Sequence, residues 1–375
     1  MKRLRLFWIE LCVAAFVFCT GMSGVTQNNA ESYILITVKS TLAAEHESHL
    51  KVISDDIAQV IHRAKRVQVN QLPATDRYLT LRYRGKEDMY YLDNAGHVFA
   101  PSAREQLIIS RKWSEKLKSY GNMVAASHYG ALLSWDEVKE RIPNKSVITV
   151  LDMETGLTFK AQRRAGKHHA DVQPLTKADT KVMKQIYQGK WSWKRKAVLV
   201  EKDGRYYAAS MQGMPHGGDG IPNNGFSGHF CIHFLNSRTH VSNNKDAEHH
   251  LMIHKAAGKL DAYFKNVSPY EFIDSFIGAV NVKEKQVLPY FFFNPAHPRL
   301  AEVEKELQDV HTFRRVSKYQ QAEAETDKLM LEIPVEIRVD RAGQSVETRK
   351  VTFHIERKTK ESPWKIVDIR ETSRE

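Results

Sequence analysis

Cysteine is almost missing from this chain: there are three in 375 residues, at positions 12, 19 and 231. So few exclude a disulfide-stapled scaffold, which needs several closely spaced pairs. Internal repeats and low-complexity tracts are missing too, which excludes solenoids and linker-rich arrays. Acidic residues are in short supply, 44 against 56 Lys and Arg, so the chain carries a formal +12. What is present is ordinary: 42% hydrophobic and 27% charged residues, the balance of a folded protein and not of collagen or a polytopic membrane protein. The length suits two or three domains.

The first 30 residues stand apart. Lys2, Arg3 and Arg5 precede an apolar run from Leu6 to Gly21, interrupted by Glu10. Basic start, apolar middle and small polar end make the pattern of a secretory signal, or of an uncleaved N-terminal anchor if the run is retained. Either way the chain is expected outside the cytoplasm, secreted or attached to the envelope, touching membrane only through this segment. Without residues 1–30 it loses three basic residues and one acidic, leaving +10 and a single cysteine, Cys231. A basic exported protein suits an anionic cell-wall polymer, and export argues against nucleic acid.

Pattern changes divide the remainder into three α+β units: a small accessory domain over 31–134, a strand-rich central domain over 135–260, and a domain over 261–375. In the first, Tyr33–Val38 reads as a strand, Ile53–Ile61 as an amphipathic helix and Arg77–Leu92 as a hairpin. In the second, Ser134 caps a short helix with Glu137 three residues on. Hairpins are expected over 147–161 and 197–210, and helices over 176–187 and from about Asp246 to Leu260. The last has a helix over Pro269–Val280 and then three long strands, the order of the cone-shaped nuclear-transport-factor-like fold, which it resembles in shape.

Histidine placement points to the chemistry. Of 17 histidines, seven fall between 216 and 254: His216, His229, His233, His240, His249, His250 and His254. Around a lone cysteine this density suggests nucleophilic or metal chemistry. A nucleophilic Cys231 needs a base, which the Gly-rich loop before it offers in His216, and oxyanion donors, which Ser227–His229 offers in its backbone. In the alternative, His229, Cys231 and His233 alternate along one strand face and, with His216 or His240, make a zinc site to which His169 and Asp171 add a ligand and a supporting carboxylate. Such a site reads as a zinc-dependent amidase or peptidase. A third reading leaves Cys231 as a small core residue in a catalytically inactive wall-binding protein. Trp191 and Trp193, beside Lys194, Arg195 and Lys196, read as a sugar or anionic-polymer patch or as core and rim. Asp246, Glu248, His249 and His250 read as a solvated helix start.

The segment His216-Gly217, followed by Gly228-His229-Phe230-Cys231-Ile232-His233-Phe234-Leu235-Asn236, resembles the L,D-transpeptidases of bacterial cell walls. Their signature is His-Gly, a loop of about fifteen residues, then Ser/Thr-His-Gly-Cys-Ile/Val-Arg and a later Asn. His216, Gly217, His229, Cys231, Ile232 and Asn236 match it. Gly228, Phe230 and His233 stand where the family has Ser/Thr, Gly and Arg. The resemblance covers about 147–260. It implies cysteine-dependent acyl transfer or hydrolysis on peptidoglycan stem peptides without a cofactor. Cys231 would be nucleophile, His216 base, His229 and Asn236 supports, and Gly217 and His233 substrate contacts.

Overall fold

The computed structural model describes residues 31–218, 220–239, 245–293, 297–306, 309–319, 327–341 and 343–371. The segment 1–30, with its signal pattern, Cys12 and Cys19, and the residue His240 lie outside the described residues. The protein is a multidomain α+β chain, and its described residues form three sheets, each drawn from one contiguous stretch. Among the described residues no helix is long and apolar enough to cross a membrane.

The first sheet uses β1 (Tyr33–Val38), β2 (Ser48–Ile53), β3 (Lys65–Gln68), β4 (Arg77–Tyr83), β5 (Lys86–Leu92), β6 (Val98–Ala100) and β7 (Glu105–Ile108). Their order is β2-β1-β4-β5-β6-β7-β3. Alternate residues Ile34, Ile36 and Val38 point to one buried face, against α1 (Asp55–His62) and α2 (Arg111–His128). Ser54 caps α1, its hydroxyl accepting from Ile57 N. That is the expected device for an orphan helix N–H.

α3 (Trp135–Arg141) opens the central unit with the expected capping box, Ser134 and Glu137 each bonding the other's backbone. A closed barrel follows, in the order β10-β13-β12-β11-β8-β9. It is made of β8 (Val147–Asp152), β9 (Thr158–Ala165), β10 (Ala170–Pro174), β11 (Lys196–Lys202), β12 (Arg205–Met211) and β13 (Phe230–His233), with α4 (Lys177–Ile186) against it. Both expected hairpins form, with β8 paired to β9 and β11 to β12. β10 carries no strand signal in the sequence: at five residues, with Asp171 and Gln173 in its middle, it has little hydrophobic pattern. It nevertheless sets the site, because Asp171 lies directly opposite Cys231 in the β10–β13 register.

The helix expected from about Asp246 to Leu260 forms as α5 (Ala247–Ala256), and a second helix not expected, α6 (Leu260–Asn266), follows it. Gly258, at φ +61 between them, packs where a Cβ would meet the Tyr129 ring, so only glycine turns the chain there without strain. α7 (Pro269–Val282) and α8 (Pro298–Glu306) precede the sheet β14 (Val310–Arg315), β15 (Met330–Arg341), β16 (Glu347–Glu356) and β17 (Lys365–Glu371). Leu251, Met252 and Ala256 of α5 share one core with Phe272 and Phe276 of α7, Phe353 of β16, and Leu199 and Ala208 from the barrel wall. The start of α5 is not solvated as its composition suggests. His249 and His250 are buried, Asp246 caps His249 N and pairs with Arg195 at 2.6 Å, and Glu248 receives Asn281 Nδ2. The barrel packs on this end, and each of these polar side chains has a partner inside the contact, His250 through Nδ1 to Glu271.

Candidate functional site

Strand alternation builds the site. Phe230 and Ile232 point into the barrel, Phe230 meeting Phe159 and Phe226 with ring centroids 6.0 and 5.9 Å away. Cys231 and His233 therefore face the other way. The side chain of Phe230 turns away from the thiol, into the barrel. Ala170 and Val172 likewise face the barrel core, which sends Asp171 to the side of Cys231.

The loop between β12 and β13 brings the base. His216 and His229 close its neck with a pair of backbone hydrogen bonds, His216 N to His229 O at 3.0 Å and His229 N to His216 O at 2.7 Å. Two glycines permit this. Gly217 sits at φ +70, where a Cβ would lie 2.3 Å from His229 Cε1, and Gly228 at φ +81, where one would lie 2.3 Å from His216 O. The loop is pinned from below. Gln173 Nε2 donates to Gly228 O at 2.5 Å, Ile221 N donates to Gln173 Oε1 at 2.8 Å, and buried Asn224 donates to Pro174 O at 2.9 Å. His229 N is thus engaged, so the expected oxyanion donor at that position is not available.

His216 Nε2 lies 3.3 Å from Cys231 Sγ, and His216 Nδ1 donates to Met214 O at 2.9 Å. A carbonyl only accepts, so Nδ1 carries the proton and Nε2 presents either a lone pair or a second N–H to the sulfur. This is a nucleophile, a base and an orienting acceptor in line, the arrangement an activated thiol requires.

A second imidazole lies on the buried side. His169 Nδ1 faces Arg238 O at 2.8 Å, and its Nε2 faces Asp171 Oδ1 at 3.3 Å. Both neighbours are acceptors, so the surroundings favour a proton on each ring nitrogen, the imidazolium form. Burial works against that charge, but Asp171 and Cys231 outweigh it and raise the His169 pKa to about 10. Burial likewise pushes the Cys231 thiol up, yet hydrogen bonds from His169, His216, His229 and His233 bring it down to about 3. The hydrogen bond with Cys231 raises the His216 pKa, against a smaller opposing effect of burial. Cys231 is therefore a thiolate, 5% exposed, held between two histidines. Asp171 Oδ1 also stands 3.7 Å from His229 Nε2 and 3.9 Å from Sγ.

The other expected residues separate. His233 is buried in a stack, 4.4 Å from the His169 ring and 3.7 Å from the His249 ring. Burial and the neighbouring His249 keep it uncharged, so it cannot take the place of a carboxylate-binding Arg. Asn236 is exposed in a turn at φ +63 and does not enter the site. Its type suits the left-handed turn, which asparagine tolerates. Trp191 packs on Phe226 in the barrel core, whereas Trp193 is 51% exposed with its ring 5.1 Å from His216. Of the two, only Trp193 lies beside a residue of the site. Arg195 is committed to Asp246 and Glu248, which removes it from any polymer patch. His169 and Asp171, foreseen only as parts of a metal site, lie beside the sulfur, their ligand atoms and Sγ within 4.8 Å of one another. The signal that finds them is strand register, which spacing along the chain does not reveal.

Among the described residues two groups of atoms suit a metal: His216, His229 and Cys231, and His169, Asp171 and Cys231, the ligand atoms of each lying within 4.8 Å of one another. No protein-family model matches the chain, and no curated protein matches it in sequence.

Proposed function

We propose that the protein is an exported cysteine acyltransferase of the L,D-transpeptidase type, acting on the stem peptides of peptidoglycan. The observation that supports this most is the Cys231–His216–Met214 O chain, at 3.3 and 2.9 Å. The Cys231 thiolate attacks the donor peptide carbonyl and forms a C–S bond, leaving a tetrahedral oxyanion. As that collapses, the C–N bond breaks and the imidazolium of His216 gives its proton to the departing amine. The neutral His216 then takes a proton from the acceptor amine, or from water, as it attacks the thioester, and the thiolate leaves. His169, already positive and tied to Asp171, keeps the sulfur ionised through the cycle without itself moving a proton. Trp193, at the exposed side of His216, offers the incoming peptide an apolar face.

A zinc-dependent amidase is the second reading, favoured by the ligand-atom spacing of His216, His229 and Cys231. Iodoacetamide labelling at pH 7, with and without a chelator, separates the two. A fast rate unaffected by the chelator, and stem-peptide turnover abolished in Cys231→Ser, support the thiol. A slow rate that the chelator accelerates, with zinc released, supports the metal. The thiol reading falls if stem peptides are turned over equally well by Cys231→Ser.

A further inference from the structure

Away from Cys231, a cleft of about 280 Å3 opens where the first sheet meets the α5–α6 turn and the Leu288–Phe291 turn. It shares no residue with the thiol site. Its charged lining balances: carboxylates Asp76 and Asp261 face cations Arg104 and Lys255. Lys255 is already committed, to Glu154 at 2.5 Å and Glu284 at 2.7 Å. Asp76 is likewise paired, with Arg77 Nε at 3.6 Å, so Asp261 and Arg104 remain, one charge of each sign. The neutral lining includes four tyrosines (Tyr78, Tyr91, Tyr129 and Tyr290) and four side-chain amides, as well as hydroxyl and aliphatic side chains.

The carboxylates are positioned as acceptors with capacity left. Asp76 accepts from Tyr129 OH at 2.5 Å and remains 25% exposed at the side chain. Asp261 accepts from Asn94 Nδ2 at 2.8 Å. A carboxylate offers about four lone-pair sites, so each has room for ligand hydroxyls. Aromatic faces beside carboxylates and amides match a molecule with apolar C–H faces and a rim of hydroxyl donors and acceptors. The volume is at the small end of ligand pockets, about one or two rings.

We propose that this cleft is a second binding site, for a neutral saccharide. Its occupant is one or two sugar units, the ring faces lying on tyrosine and the hydroxyls donating to Asp76 and Asp261. The cleft is formed jointly by loop 70–76 of the accessory unit and by the chain after α5, so sugar binding joins the outer units of the molecule.

Calorimetric titration of the whole protein with triacetylchitotriose, cellotriose and spermidine tests this. At least one trisaccharide is expected to bind. Asp261→Ala and Tyr91→Ala are each expected to weaken it about tenfold, the equivalent of about 1.4 kcal/mol. The iodoacetamide rate at Cys231 should stay unchanged, showing that the variants fold, and Cys231→Ala should bind sugar as the parent does. Failure of both trisaccharides to bind, affinity unchanged in both variants, or binding of spermidine alone would overturn the proposal. None of those results bears on the chemistry at Cys231.

Discussion

His216 and His169 both face Cys231, but the account gives them different work, and substitution separates them. His169 has acceptors at both nitrogens, Arg238 O and Asp171 Oδ1, at 2.8 and 3.3 Å, and is charged at neutral pH. His216 has one acceptor, Met214 O, and the sulfur. In His216→Ala the thiolate keeps its buried counter-charge, so iodoacetamide labelling at pH 6 should stay within a few-fold of the parent. Acyl transfer should fall by about 10²–10⁴, the usual contribution of a general acid–base. In His169→Gln the counter-charge is gone, and the thiol moves toward its ordinary pKa near 8.5. A thiol with that pKa is only about 0.3% ionised at pH 6, so up to about 300-fold of the labelling rate is at stake. The assay is the labelling rate from pH 5 to 10. The parent and His216→Ala should give nearly flat profiles, and His169→Gln should climb and converge with them near pH 10, which also shows that it folds. Asp171→Asn should resemble His169→Gln. If His216→Ala loses fast labelling at pH 6 while His169→Gln keeps it, the division of labour is wrong.

Three further outcomes follow from single positions. Gly217→Ala places a methyl 2.3 Å from His229 Cε1 at a backbone φ of +70, and thermal melts should show a loss of about 1–3 kcal/mol together with reduced turnover. Asn236→Ala should leave kcat/KM unchanged because the residue is exposed and outside the site; it should cost about 1 kcal/mol for its positive φ, and Asn236→Gly should recover that. Stability should follow the two displaced titrations, Cys231 down to about 3 and His169 up to about 10, against unfolded values near 8.5 and 6.5. From about pH 3 to 6.5 the unfolded chain holds the extra proton, so stability rises with pH. Between about 6.5 and 8.5 the two states hold equal numbers and it is level. From about 8.5 to 10 the folded state holds more and it falls. Denaturant melts across this range should show the acid limb flattened in Cys231→Ser.

What could be read along the chain was whatever local pattern controls. The hairpins of β4–β5, β8–β9 and β11–β12 show as alternation around Gly-bearing turns, and the cap at Ser134 shows as Ser with an acid three residues on. His216 and Cys231 were visible because a loop of fixed length joins them. What escaped was set by long-range packing. β10 has no hydrophobic signature, yet its register opposite β13 delivers Asp171. The polar start of α5 looked solvated, and only the barrel packed upon it buries His249 and His250. His233 keeps the parity of Cys231, but its position in the imidazole stack depends on α5, sixteen residues further on. Asn236 matched a motif position while the fold uses it as a turn.

The central claim is a covalent one, and intact mass tests it most directly. The protein is mixed with a stem tetrapeptide, without an acceptor amine, and quenched in acid within the first turnover. The account predicts an adduct equal to the donor acyl group, on the peptide containing Cys231, absent in Cys231→Ser and persisting in the presence of a chelator. Product formed with no adduct at any quench time, and stopped by the chelator, would contradict it.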